Sequence, residues 1–413
     1  MSGVVYRRIA CLVTNEGVAA KGGVRPEEKD LGVIHDAALV YAPKKGVLWV
    51  GPEKKLPREF KAKPWKQKDA SGLTAYPGLV DPHTHPVFAG DRSREFELRM
   101  HGATYQEIAA AGGGIATSVR ETRKASKATL AKLLDERLRV ARGFGVRLLE
   151  GKSGYGLDYA SELRALEVMR EASGDHGVEL VTTCMAAHAI PAERKADRRG
   201  YIDEIKTKIL PAVAKRKLAD YVDVFCDAGY FSVAETIEIL EAGRALGLAT
   251  RVHGEELGLT GIAVKAAEFG AHSIDHLLKV DDKGIEALAR SGTVATLLPG
   301  TGFYLREPPA PARKLIDKGA VVALATDFNP GSCPTQNFPF VGTLAAVALG
   351  MTTAEIIAAM TWNAARSLRR EKDYGALLPG FKGEPVFATG DHPSALFYRL
   401  APSSLAEPTI FTR

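Results

Sequence analysis

From residue 76 to about residue 330 the chain repeats one alternation. A short apolar run is followed by a few polar residues, then by a longer stretch with apolar positions at helical spacing. The runs GLVDPHTH, VRLLEGKSGYG, ELVTTCMAAHA, YVDVFCDAG, LATRVHGEEL, AHSIDHL, TVATLLP and VVALATDFNPG give eight candidate strands. Several lack in–out alternation, as expected for strands covered on both faces. The intervening helices are equally plain. In TLAKLLDERLRVARGF, Leu130, Leu133, Leu134, Leu138, Ala141 and Phe144 share one face. SVAETIEILEAGRALG opens with Ser232 and Glu235 at capping-box spacing and ends at a glycine. Strand and helix alternating in this way predict an α/β fold, a (β/α)8 TIM-type barrel. A doubly wound sheet is the alternative, but eight parallel strands favour closure.

The two ends of the chain follow a different rhythm. IACLVTN, HDAALVYAP and GVLWVGP near the start, and GEPVFATG and SALFYRL near the end, read as short β segments separated by Gly, Pro and Asn. The expected division is residues 1–75 and 375–413 as two parts of one small β-sandwich, with residues 76–374 as the barrel. A helical stretch, TTAEIIAAMTWNAARSL, closes the barrel region.

Composition narrows the class. The chain has 413 residues, 46% hydrophobic and 25% charged, with a formal net charge of +6. Its lysines and arginines are interspersed with acids, so neither a nucleic-acid tract nor a membrane patch is expected. The mild positive excess suits a small anionic substrate. Cys11, Cys184, Cys226 and Cys333 show no CxxC spacing, and three of them lie in strand-like runs. Reduced, buried thiols in a cytoplasmic protein are therefore expected. MSGVVYRRIACLVTNEG lacks a signal-peptide core, and no later run is long enough to span a bilayer.

In a barrel of this kind the chemistry sits at the C-terminal strand ends, and there the polar residues gather. His83 and His85 close the first strand, Lys152 and Tyr155 follow the second, and His188 the third. His253 and Glu256 end the fifth, His276 the sixth, and Asp327 and Asn329 the eighth. His83 and His85 point to the same side of their strand, about 7 Å apart at Cα. Two imidazoles so placed can hold one metal ion. With His253 and Asp327 they form a nitrogen–oxygen set suited to Zn²⁺, or to iron as second choice, with room left for water.

The order HxH, His, His, Asp resembles the amidohydrolase superfamily. Within it, DPHTHPVFAGDRSREFELRMHGATYQEIAAAGGGI, KSGYGLD, AAHAIP, VHGEEL and ATDFNPGSCPT are similar to the imidazolonepropionase family over roughly residues 76–366. That resemblance implies a metal-dependent cyclic amidohydrolase of histidine degradation. Its substrate would be 4-imidazolone-5-propanoate, opened by water to N-formimidoyl-L-glutamate. It implies His83, His85, His253 and Asp327 as ligands of one divalent ion per chain. Arg92 of GDR would bind the substrate carboxylate, for which a planar guanidinium is matched. Tyr155 and His188 would line the pocket and bond the ring or propionate. Asn329, Gly331 and Ser332 would border the substrate with backbone amides and short side chains. Proton transfer falls to His276 and Asp327 on the water side and Glu256 on the substrate side. Binuclear relatives bridge their metals with a carboxylated lysine from the fourth strand. YVDVFCDAG has no lysine, so one metal is expected, with Lys152 orienting its neighbours. Homodimers are common among such enzymes. The tail departs from the resemblance, with Glu384–Pro385 where Ala–Asp is usual.

Two other classes share parts of this pattern. Another amidohydrolase, such as an aromatic-base deaminase, would keep the metal set without needing Arg92. A non-catalytic binding barrel would keep the fold, but such relatives lose ligands, and here all four are present. AGGGI, residues 111–115, lacks the G-x-x-x-x-G-K-[ST] pattern of a phosphate loop and reads as a lid. His35, His101, His176, His272 and His392 have no supporting context and are read as surface or core.

Overall fold

The computed structural model describes residues 3–62, 64–103, 107, 112–402 and 404–410. Eight strands, parallel throughout, run in sequence order: β6 (Leu79–Thr84), β7 (Val146–Lys152), β8 (Glu179–Ala187), β9 (Tyr221–Cys226), β10 (Ala249–Gly254), β11 (Ser273–His276), β12 (Val294–Leu297) and β13 (Val322–Leu324). Every residue of β6, β9, β10, β11, β12 and β13 is buried, which is why these runs are apolar without alternation. The seam between the first and eighth strands is closed by backbone bonds from Asp327 N to His83 O (3.0 Å) and from His85 N to Phe328 O (2.9 Å). Below it, the buried Asp81 carboxylate accepts from Thr326 N and Oγ1 at 3.1 and 2.6 Å. The barrel is therefore closed by residues that include His83, His85 and Asp327.

Helices cover the outside as the periodicity requires. The helix Lys127–Gly143 buries Leu130, Leu134, Leu138 and Ala141, and Ser126 caps it by accepting from Thr129 N. In the helix Val233–Ala245, Ser232 and Glu235 form the expected capping box. Gly247, at φ +85°, lets the chain reverse into β10. TTAEIIAAMTWNAARSL is two helices, Thr353–Met360 and Trp362–Ser367, broken at Thr361. There the Thr361 hydroxyl bonds back to Ile357 O, and Gly375 packs so close to Trp362 that a Cβ would lie 2.4 Å from its Cα.

Both chain ends enter one further mixed sheet. Its strands are β1 (Val4–Val13), β2 (Val33–Ala42), β3 (Gly46–Pro52), β4 (Lys66–Asp69), β5 (Leu73–Tyr76), β14 (Val386–Thr389) and β15 (Thr409–Ile410). They join in the order β14–β5–β1–β2–β3, with β4 pairing β1 and β15 pairing β4. Thus the fold is the expected barrel with a small β domain built from both ends. Tyr6, Ile9, Leu12, Leu39, Tyr41, Leu377 and Phe387 form its interior. Glu384 pairs with Arg142 and with Arg147 (3.3 Å), fastening the returning chain to the barrel wall. SALFYRL is not a strand. His392 accepts from Ser394 N, a turn follows over Pro393–Leu396, and Leu396 N donates to Tyr76 Oη. Its alternation is satisfied by packing of Leu396 and Phe397, with no strand partner.

Candidate metal centre and active site

The seam and the strand ends bring five donors to one place. His83, His85, His253, His276 and Asp327 are all buried. One ligand atom each from His83, His85 and His253 lie within 4.8 Å of one another, and so do those of His83, His276 and Asp327. His83 Nε2 stands 3.4 Å and His85 Nε2 3.6 Å from Asp327 Oδ1. The other oxygen of Asp327 accepts from Thr301 Oγ1 at 2.5 Å. Two of these residues hold positive φ, His276 at +84° and Asp327 at +52°. Such backbone costs of order 1–3 kcal/mol per residue and is kept where the surrounding structure imposes it.

The donor atoms match a divalent cation. His83 Nδ1 is bonded to Asp275 Oδ2 (2.6 Å) and His253 Nδ1 to Asp223 Oδ1 (3.1 Å), so each ring is turned with Nε2 into the cluster. Those two Nε2 atoms, His85 Nδ1 and His276 Nδ1 are buried without a hydrogen-bond partner. An unsatisfied buried nitrogen costs about 1–3 kcal/mol, and for the two Nε2 atoms of His83 and His253, turned into one cluster, a shared ion would remove that cost. Burial, with Lys152 nearby, holds His83 well below the usual imidazole range; burial does the same for His85 and His276. They are neutral imidazoles, the form that ligates. Burial raises Asp327 to about 6.

Beneath the donors lies a charged layer of which the reading of strand ends named only Lys152, as orienting its neighbours. Lys152 Nζ reaches Glu150 Oε1 (2.7 Å), Asp223 Oδ2 (2.8 Å) and Asp275 Oδ2 (3.8 Å). Arg251 donates to Asp275 Oδ2 (3.1 Å) and to Pro82 O (2.8 Å). All five side chains are fully buried. Burial works against the charges of Lys152, Asp223, Arg251 and Asp275. His253 and Lys152 nonetheless hold Asp223 low, Arg251 and Lys152 hold Asp275 low, and Asp223 and Glu150 keep Lys152 raised. The ammonium thus steadies both carboxylates that aim the histidines. The signal was a charged residue inside each apolar run: Glu150, Asp223, Arg251 and Asp275.

Above the donors opens a cavity of about 940 Å³ lined by His85, Arg92, Tyr155, His188, His253, Glu256, His276, Asp327, Asn329, Gly331 and Ser332. It therefore gathers every pocket residue expected from the sequence. His83 lies beneath it among the donors. His188 is stacked on His85 with ring centres 5.1 Å apart, and its Nδ1 bonds Gly154 O (3.0 Å). Burial lowers it to about 3, so it too is neutral. Glu256 Oε2 is 3.7 Å from His276 Nδ1, and burial, reinforced by Asp327, raises its carboxyl well above the ordinary range. One expectation is corrected. The amides of Gly331 and Ser332 do not face the cavity, because both donate to Asn329 Oδ1 at 2.8 Å. Asn329 shapes the turn and Gly331 offers only its backbone surface.

The loops that line the cavity are held in the same manner by other unanticipated acids. Buried Glu162 accepts from the amides of Gly154, Gly156 and Leu157 around Tyr155. Asp227 accepts from those of Glu256, Leu257 and Gly258. Of AGGGI, Ala111 lies outside the described residues, and Ile115 lines the cavity. His35, His101, His176 and His392 are exposed and His272 is half-buried, none of them at the cavity.

The amidohydrolase family profile matches residues 74–403. An imidazolonepropionase from Geobacillus thermodenitrificans is 42% identical over 96% of this chain and 94% of its own. One from Symbiobacterium thermophilum is 46% identical over 91% and 89%. One from Bdellovibrio bacteriovorus is 40% identical over 100% and 96%. Among solved structures, a triazine hydrolase variant superposes with a TM-score of 0.76 at 13% identity, covering 99% of this chain and 93% of that one. An adenosine deaminase from Xanthomonas campestris with bound zinc gives 0.65 at 15% identity, covering 98% and 91%. At such identities these two establish the fold alone. The fold, the sequence profile and the full-length relatives agree, and this chain belongs to the amidohydrolase family, in its imidazolonepropionase branch.

Proposed function

We propose that the chain hydrolyses the ring amide of 4-imidazolone-5-propanoate to N-formimidoyl-L-glutamate. In this reading His83, His85, His253 and Asp327 hold one divalent ion, zinc first and iron second. The observation that carries it is the shared cavity, with a nitrogen–oxygen donor cluster at its floor and Arg92 on its wall. An ion in that set lowers the pKa of water from 15.7 to about 7 and polarises a carbonyl.

The chain's own groups do the rest. Arg92 receives the propanoate and fixes which ring face meets the donors. Asp327, whose Oδ1 faces the histidine nitrogens and whose Oδ2 accepts from Thr301 Oγ1, can take the proton of the attacking water. Neutral His276 stands beside it to hydrogen-bond the carbonyl oxygen as charge develops there. As the C–N bond breaks, the departing ring nitrogen needs a proton, and Glu256, kept protonated by burial, can donate it. His188 and Tyr155, also on the cavity wall, would bond the ring or propanoate.

Two results test these roles. Arg92→Ala should raise KM roughly ten- to a hundredfold, the loss of a charge-assisted contact of about 1.5–3 kcal/mol. A change below twofold would place the carboxylate elsewhere. Glu256→Gln should cut kcat/KM by about 10²–10⁴ and change its pH profile. If the protonated carboxyl is the donor, parent activity falls as pH rises through its raised pKa, and that limb disappears in the amide variant. An unchanged profile removes Glu256 from the mechanism. Release of ammonia from aromatic bases without ring opening of the imidazolone would favour the deaminase reading.

Among the described residues no helix is long and apolar enough to cross a membrane. The four buried, unbridged thiols support a reducing, cytoplasmic location. The chain is read as a homodimer, as is common among such enzymes, and sedimentation measures it.

A further inference from the structure

We propose that Glu95 is a positioning residue for Arg92, fixing the plane in which its guanidinium meets the substrate carboxylate. This rests on the reading of Arg92 given above. Glu95 Oε2 accepts from Arg92 Nε at 2.7 Å, and its Oε1 accepts from Gly114 N at 2.9 Å. Both side chains are largely enclosed, 9% exposed for Arg92 and 13% for Glu95. Arg92 stands immediately before the helix Ser93–Met100, and Glu95 lies in its first turn. A carboxylate there could serve the helix N-terminus alone. Here both its oxygens are turned outward, one to the arginine and one to a backbone amide nineteen residues on.

The opposite side of the guanidinium is closed by Gly331, where a Cβ would stand 2.0 Å from Nη1. Gly331 is itself fixed by its amide bond to Asn329 Oδ1. The fork is therefore held at Nε by Glu95 and against Nη1 by backbone. Because Nε lies in the guanidinium plane, the bond from Glu95 sets that plane. A flexible arginine would lose rotamer freedom on each binding event; one already held does not. Glu95 also places a negative charge near an anion site, which acts against affinity. Placement is inferred to outweigh repulsion, and that ordering fixes the sign of the test.

The experiment is a double-mutant cycle on the metal-loaded enzyme, with KM and kcat measured for 4-imidazolone-5-propanoate. Inhibition by imidazole-4-propanoate and by the neutral 4-methylimidazole is read alongside. Glu95→Ala should raise KM roughly tenfold while kcat stays within about threefold, and should weaken imidazole-4-propanoate but not 4-methylimidazole. In an Arg92→Ala background the same change should add less than about twofold, since its effect passes through the arginine. Glu95→Gln, which keeps the bond to Gly114 but turns an NH2 donor toward Arg92 Nε, should raise KM as well, and it carries the test if the alanine variant does not fold. An unchanged or lowered KM in Glu95→Gln and Glu95→Ala, or losses that multiply in the double variant, overturns the inference. If Arg92→Ala itself leaves KM unaltered, the carboxylate reading fails and this inference with it. If only the Glu95 variants are silent, the reading stands and the inference alone is lost.

Discussion

His253→Ala is expected to lose turnover by at least about a thousandfold and to leave purification with little bound metal, since it removes a donor from the set that would activate water. That ring is aimed by a buried carboxylate. Asp223 holds Nδ1 at 3.1 Å, and Nε2 is left buried with nothing else to bond. Deleting the ring also frees an Asp223 oxygen that Lys152 alone must then balance. A graded companion is Asp223→Asn. It keeps the donor but loosens its aim, which in comparable sites costs about 10- to 100-fold in metal affinity. Elemental analysis and kcat on the same preparations check both variants, with circular dichroism to confirm folding. A His253→Ala protein retaining metal and rate would remove this residue from the centre.

Lys152→Met should destabilise the fold by about 3–5 kcal/mol, because it leaves buried carboxylates short of a cation. Glu150 and Asp223 both lie within 2.8 Å of the ammonium, and Asp275 is shared with Arg251. At roughly 2–4 °C per kcal/mol for a sizeable domain, melting should fall by about 10 °C. Adding Asp223→Asn removes one of the stranded charges and should recover a large part of that loss. Metal content should not recover with it, since His253 has lost its carboxylate. Calorimetry paired with metal analysis therefore separates the two duties of this layer, holding the barrel together and aiming its donors. Equal melting of parent and Lys152→Met would show the layer to be electrostatically idle.

Much of this molecule could be read from its sequence because burial on both faces leaves so clear a trace. Most positions of the barrel strands had to be apolar, and the polar residues ending those runs became the rim. His83, His85, His253, His276 and Asp327 were legible for that reason. Asp223, Arg251 and Asp275 were not, although each interrupts an apolar run. What gives them meaning is lateral register, with Asp223 beside Arg251 and Arg251 beside Ser273 on neighbouring strands. One-dimensional spacing does not contain that register. Glu162, Asp227 and Glu95 escaped for a related reason, since their partners are backbone amides, which carry no signature in side-chain type. SALFYRL misled through an alternation that local packing satisfied without a neighbouring strand.

The sheet that joins the two chain ends has a consequence for synthesis on the ribosome. Strand β5 takes β14 as its outer neighbour, and β4 takes β15. The interval between emergence of β5 and of β14 is roughly 300 residues, or about 15 to 60 s at 5–20 residues per second. Throughout that time the nascent N-terminal strands present unpaired edges, which are templates for aggregation. Yield in cells should then depend on translation speed and on chaperones that shield those edges. A circular permutant that makes both ends in succession should be released from that dependence.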